Sequence, residues 1–450
     1  MAGEAALHCE LAWLGGETAE ADVLLELDGD HIAAVTVGVP PPRGATRLRG
    51  LALPGIANAH SHAFHRALRS RTQRGGGSFW TWRDQMYRLA GSLDPDGYHR
   101  LARAAYGEMA LAGITCVGEF HYLHHGPGGV PYADPNAMGA ALVAAAAEAG
   151  IRITLLDTCY LHGGMGAAPE GVQQRFSDGD ADAWAERAVA TAGLASVTAR
   201  VGAAVHSVRA VDPAGLAVVA GWAAERRAPV HAHVSEQPAE NDACLAHHGR
   251  TPTSLLADAG LLSDRFTAVH ATHVTAEDLA LLGRAAATAC LCPTTERDLG
   301  DGIGPAVRLA TAGTALSLGT DSHALVDPFE EMRAVEMHER LVSHRRGNLG
   351  APALLRAATE DGHRSLGWAE AGALRPGAFA DVIMVRLDTV RTAGVDRAHA
   401  LDAAVFAASA ADVDDVVVAG RRVVAGGAHR TQDVAGELAA AVRESLVRTT

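Results

Sequence analysis

Lysine is absent from this 450-residue chain: all 38 of its basic residues are arginine. That absence excludes a pyridoxal-phosphate Schiff base, a phosphate-loop lysine and a carboxylated lysine bridging two metals, because each needs the lysine amine. Together with heavy Ala and Arg usage, it points to genomic base composition as its origin. Cysteine is scarce and scattered, at Cys9, Cys116, Cys159, Cys244, Cys290 and Cys292. With no paired C-x-x-C, neither a disulfide framework nor a structural zinc ribbon is expected. No uncharged apolar run reaches the ~18 residues of a membrane helix. The opening MAGEAALHCE has no basic region ahead of a long apolar stretch, so no signal peptide is expected. Reduced thiols in a cytoplasmic protein are the simplest reading. The net charge of -14 makes the chain a poor binder of nucleic acid or anionic membrane. An anionic substrate would therefore need a few locally placed Arg or His.

What the chain does have is a large apolar fraction, 48%, and 23 histidines. Strand patterns gather at both ends. ADVLLELDGDHIAAVTV reads as a hairpin around Asp28-Gly29-Asp30, and DVIMVRLD and VDDVVVAGRRVVAGG lie near the other end. Between them, apolar strand-like runs (TCVGEF, IRITLLD, PVHAHV, FTAVHA, ATACLC, ALSLGT) alternate with Ala-rich helical stretches. That alternation predicts an α/β fold, a (β/α)8 TIM-like barrel, with a small composite β-sandwich built from both chain ends. A doubly wound sheet is the alternative, without a G-x-G-x-x-G fingerprint to support it. The expected division is 1–53 for the first part of the sandwich, 54–370 for the barrel, 371–430 for the second part and 431–450 for a C-terminal helix. In that helix Val434, Leu438, Val442 and Leu446 recur at four-residue spacing, as on one apolar face.

Several barrel strands end in His, Glu or Asp, and such ends carry the active site of this architecture. His60 and His62, two apart in LPGIANAHSHAFHR, point the same way on a strand and can converge on one ion. APVHAHVSEQ supplies a third histidine, His231 or His233, which share a face, and then Glu236. A carboxyl there can carry protons between water and a leaving group. His270 ends the strand of FTAVHATHV, and Asp321 follows that of ALSLGTDSHA. Singly, each reads equally well as a hydrogen-bonded core histidine, a surface Glu or a helix cap. Their succession at four strand ends is what chance does not readily produce.

On these residues the chain resembles the amidohydrolase superfamily, in its mononuclear-metal deaminase branch, over nearly its whole length. The resemblance implies that His60, His62, His233 and Asp321 bind one Zn2+ per subunit. It implies that Glu236, His270 and Asp321 are the catalytic proton-transfer groups. SFWTWRDQMYRLA, EFHYLHHGPGGVPYAD, HSVRAV, HATHV, LCPTTERDLGDGIGPA and GTDSHALVDPFEEMR narrow the resemblance to the formimidoylglutamate deiminase family of histidine degradation. There Arg83, Tyr122, His206 and Arg209 would receive the carboxylates of a small dicarboxylate substrate, and the assembly would be a homodimer. Arg83 follows the aromatic cluster Phe79, Trp80 and Trp82, which could exclude water from an Arg–carboxylate pair. Two departures bear on substrate preference. His65 stands where this family leads one to expect Gln, beside the metal-binding pair, and Asp157 is more polar than expected. The competing readings are an aminohydrolase of guanine-like or adenosine-like rings, a barrel that has lost catalysis, and a metal-storage binder. A storage binder gives no reason for Glu236 or for the arginines.

Overall fold

The computed structural model describes residues 4–73, 77 and 79–447, with the exception of the Phe79 side chain. Phe79's place in the aromatic cluster, and the ends of the first and last predicted segments, therefore lie outside the described residues.

Eight parallel strands run in chain order around a barrel: Ile56–Ser61, Ile114–His121, Arg152–Cys159, Ala199–Val205, Val230–Val234, Phe266–His270, Thr288–Leu291 and Ala315–Leu318. They are short apolar runs buried along nearly their whole length, as strands covered on both faces must be. The ring closes between first and last strands through a bridge from Ser61 to Asp321. At that seam the Asp321 N–H donates to the His60 carbonyl at 3.0 Å, and the His62 N–H donates to the Asp321 carbonyl at 3.2 Å. Closure rules out the doubly wound alternative. Three of the helices around the barrel start where the sequence offers a cap and a proline. Asp94, Asp212 and Thr251 each accept a backbone N–H through the side chain, and each precedes a Pro in the first turn.

The chain ends build a second, eight-stranded mixed sheet. Thr46–Pro54 from the first end pairs antiparallel with Val382–Val385 from the second, which joins the two contributions. This sheet has its own apolar core around Leu7, Val23, Leu25, Leu48, Val382 and Met384. It is tied to the barrel by a fully buried ion pair, Arg152 Nε to Asp381 Oδ2 at 2.9 Å. Between Val385 and Val413 the chain leaves the sheet, and Ala400–Phe406 forms a helix against two barrel helices, Pro328–Ser343 and Ala351–Arg356.

The C-terminal helix, Val434–Val447, packs on the helix Pro95–Leu111. Gly107 makes room for it: a Cβ there would lie 2.2 Å from Gln432 Oε1 and 3.0 Å from Val434 Cγ2. Its buried face is Val434, Leu438, Ala441 and Ser445. The expected stripe drifts off this face because each four-residue step over-rotates a helix of 3.6 residues per turn, so Ala441 replaces Val442 and Ser445 replaces Leu446. No helix among the described residues is long and apolar enough to cross a membrane.

Candidate metal centre and its cavity

At the C-terminal ends of the barrel strands, ligand atoms of His60, His62, His233 and Asp321 all lie within 4.8 Å of one another. His60 and His62 arrive together from the end of the first strand, His233 from the fifth, and Asp321 from just past the eighth. His60 Nε2 is 3.1 Å from His233 Nε2. Asp321 Oδ1 is 3.4 Å from both His60 Nε2 and His62 Nε2.

Three observations suit this group to a divalent cation. The Nδ1–H of His62 donates to the Phe120 carbonyl at 3.1 Å and that of His233 to the His206 carbonyl at 2.8 Å. In both, the Nε2 lone pair is thereby left facing inward. Burial, the leading cause, holds the pKa of His60, His62 and His233 below the ordinary imidazole value, so the rings are neutral donors. Burial raises the Asp321 pKa, but its hydrogen bond to His60 and the neighbouring imidazoles outweigh that and bring it down to about 2. The donors are N and O atoms without thiolate, a set that suits a hydrolytic rather than a purely structural zinc site.

His231, the other candidate third ligand, is not in the group. It lies two residues earlier, about 6.6 Å deeper along the strand, and its Nε2 bonds the Ser365 carbonyl at 3.0 Å.

Backbone strain collects here. Ser235, His270 and Asp321 have φ of 52°, 68° and 40°, in the left-handed region that non-glycine residues avoid. The Ser235 turn delivers Glu236 beside the quartet, with Oε1 3.8 Å from His270 Nε2. The same nitrogen is 3.8 Å from Asp321 Oδ2. Burial pushes the Glu236 carboxyl up to about 7. For His270, burial opposes the charge, but Glu236, the Glu296 hydrogen bond and Asp321 prevail and hold its pKa well above the usual value.

The quartet opens into a cavity of about 270 Å³. Its walls include all the expected substrate residues: His65, Arg83, Tyr122, His206 and Arg209. The Arg83 guanidinium lies 4.4 Å from the Trp80 ring centroid and 5.4 Å from that of Tyr87. Among the described residues no carboxylate comes within 4.0 Å of either Arg83 or Arg209. In each the Nε is buried without a hydrogen-bond partner. Tyr122 Oη is 3.2 Å from His65 Nε2 and 3.6 Å from Met86 Sδ. Burial keeps His65 neutral, with its pKa near 3. Burial, then the Arg209 and Arg83 charges, depress His206 as well.

Asp157, whose polarity stood out in the sequence, does not face this cavity. It accepts from Arg187 Nη1 and Nη2, both at 2.8 Å, and from Trp184 and Thr191, inside a buried network. His124 and His125 turn the same way, to the Thr158 carbonyl and to Asp178.

The sequence reading missed three carboxylates. Glu296 Oε1 accepts the His270 Nδ1–H at 3.4 Å and the Cys292 N–H at 2.9 Å. Fully buried Glu119 accepts the Ala63 N–H at 2.7 Å and the Ser61 hydroxyl at 2.9 Å, bracing the strand end that presents His60 and His62. Asp301, reached by Gln237, lies behind Glu236. Glu119 near the end of its strand carries the same signal as the histidines. Glu296 and Asp301 lie in LCPTTERDLGDGIGPA, but only the folded loop shows their direction.

A closed barrel with a His/His/His/Asp centre at its C-terminal mouth defines a metal-dependent hydrolase class. The profile of the Amidohydrolase family matches residues 51–423, and the chain belongs to that family. It is 38% identical over 425 residues to a formimidoylglutamate deiminase of Pseudomonas aeruginosa, covering 92% of this chain and 93% of that one. It is 29% identical over 397 residues to an 8-oxoguanine deaminase of the same organism, covering 87% and 86%. Among solved structures, an amidohydrolase from Brucella melitensis superposes with a TM-score of 0.91 at 34% identity, covering 98% of this chain and 99% of that one.

Proposed function

We propose that this hydrolase is a deiminase converting N-formimidoyl-L-glutamate and water to N-formyl-L-glutamate and ammonia, with Zn2+ held by His60, His62, His233 and Asp321. The observation that carries this reading is the pair of guanidiniums, Arg83 and Arg209, left without carboxylate partners in the cavity that opens on the quartet. In a chain of net charge -14, guanidiniums with no carboxylate in direct contact suit a small dianion. The substrate's amidine end then faces the acidic side of the same cavity, where Glu236 and Asp321 stand. The 38% identical deiminase supports the same substrate.

A divalent cation in the quartet would supply Lewis acidity, lowering the pKa of water toward neutrality. Around it the chain's own residues divide the proton work. Asp321, with Oδ2 facing His270 Nε2, accepts the proton of the attacking water. His270, fixed by Glu296, hydrogen-bonds the oxygen that attacks the formimidoyl carbon. Glu236, whose carboxyl titrates near neutrality, passes a proton to the nitrogen that leaves as ammonia. Tyr122 and His206, with the two arginines, hold the carboxylates. Aromatic walls from Trp80, Trp82 and Phe176 restrict water around those pairs.

Ammonia release from formimidoyl-glutamate, formimidoyl-aspartate and guanine tests the reading. The glutamate derivative is expected to be turned over fastest. Preference for guanine would replace this reading with a ring deaminase.

A further inference from the structure

The 3-10 segment Gly171–Phe176 is buried at three side chains, Gln173, Arg175 and Phe176. Arg175 has no carboxylate within 4.0 Å among the described residues, and the backbone takes its charge. Its Nε donates to the His125 carbonyl at 2.8 Å. Nη1 donates to the Ala90 carbonyl, and Nη2 to the Leu93 carbonyl at 2.6 Å and to Tyr132 Oη at 3.3 Å. In return the Arg175 carbonyl accepts the N–H groups of His124 and His125, at 3.1 and 2.9 Å. One buried guanidinium thus joins two separate pieces of chain. Ala90 lies in the last turn of the helix Phe79–Ser92, which carries Arg83, Met86 and Tyr87, and Leu93 follows its end; His124 and His125 come two and three residues after Tyr122.

Gln173 makes a second set of ties. Its Nε2 donates to Tyr87 Oη at 3.1 Å and to Tyr160 Oη at 3.0 Å. Phe176 then presents its ring to Tyr122 and Tyr160, with centroids 5.0 and 5.4 Å apart. The parts so joined line the cavity, and none of the ties made by Arg175, Gln173 or Phe176 goes directly to a ligand of the metal group, although Tyr122 itself packs on His62 with ring centroids 5.2 Å apart. Buried donors with fixed partners are costly to move, so the spacing between Arg83, Tyr122 and the quartet is set by this segment.

We propose that Gly171–Phe176 is a clasp that sets substrate length, in which Arg175 and Gln173 are positioning residues holding Arg83 and Tyr122 at the reach a five-carbon dicarboxylate needs. This rests on the functional reading above, and it adds a prediction which that reading does not make. A clasp that positions carboxylate-binding groups governs KM and chain-length preference. A residue that merely stabilises the fold would lower activity on every substrate alike.

The test uses full-length, zinc-loaded protein with Gln173→Leu and Arg175→Met. For both variants, KM for formimidoyl-glutamate is expected to rise roughly tenfold or more, the size of one weakened charge-assisted hydrogen bond, with kcat within about twofold. The preference for the glutamate over the aspartate derivative should shrink in parallel. Adding Gln173→Leu to Arg83→Gln should cost little beyond Arg83→Gln alone, because the two act on one contact. Equal losses on both substrates, a kcat loss at constant KM, or full additivity overturns the clasp. If Arg175→Met fails to fold, Gln173→Leu decides. If the wild type releases no ammonia from either substrate, the functional reading falls and calorimetry with glutarate decides the clasp. Weaker glutarate binding by Gln173→Leu than by wild type supports it, whereas equal affinity or no binding by either protein overturns it.

Discussion

Arg187 stands between two buried carboxylates, and replacing it with Met isolates what that arrangement contributes. Its guanidinium bonds Asp157 through Nη1 and Nη2 at 2.8 Å, and Asp178 through Nε at 2.8 Å and Nη2 at 3.0 Å. Burial alone would raise both carboxyls. Against it, chiefly through the Arg187 charge, Asp157 is brought from 3.8 to about 2. Asp178 also falls below the ordinary range, through its hydrogen bonds to His125 and Arg187. At about 1.4 kcal/mol per pH unit, the Asp157 change alone corresponds to roughly 2–3 kcal/mol of folding stability. Because Arg187→Met also strands two anions without a cation, the full loss is expected at about 3–5 kcal/mol. The sign follows from a depressed folded pKa. The stabilisation is complete above the unfolded value of 3.8 and disappears as pH falls through about 2. Urea unfolding at pH 7 should therefore show the full deficit. Repeated at pH 4 to 5, it should show a smaller one, since in the variant the stranded carboxyls take up protons there. A deficit below about 1 kcal/mol at neutral pH, or one unchanged by acid, would refute the reasoning.

Three further outcomes concern the site. Asp321→Asn removes the proton acceptor and leaves only a weaker, neutral oxygen ligand, and turnover should fall by about 10³-fold or more while circular dichroism stays native. Near-normal turnover would remove Asp321 from its role. Dialysis against a chelator should abolish hydrolysis and added Zn2+ restore it, with metal content followed by atomic absorption; full activity in verified metal-free protein contradicts the quartet's assignment. Arg83→Gln and Arg209→Gln should each lower kcat/KM for the dicarboxylate by about 10- to 100-fold, as the loss of a charge-assisted hydrogen bond implies. Unchanged kcat/KM in both would reject the carboxylate-binding role.

Much of the site was legible because its residues occupy strand ends, and a strand end is visible as an apolar run that stops on His, Glu or Asp. His60, His62, Glu236, His270 and Asp321 were all found this way. Period-two geometry could say that His231 and His233 share a face, but not how deep each lies, and depth is what separates the Ser365 contact from the quartet. Asp157 obeys the strand-end pattern too, yet it turns to Arg187 on a neighbouring helix. A pairing across 30 residues leaves no local trace. Glu296 and Arg175 were invisible for the same reason, since each is defined by partners from other segments. At the C-terminal helix the apolar stripe gave the right element, and the last turns rotated away from it through helical pitch alone.

The seam between first and last barrel strands has a consequence for how the centre comes into being. His60 and His62 stand on one side of it and Asp321 on the other, joined by backbone bonds across the gap. A growing polypeptide therefore lacks the carboxylate ligand until its final barrel strand has emerged and docked. Metal capture by the complete quartet must then be a late event, and a chain stalled or truncated before Asp321 would have no finished cage in which to trap an ion.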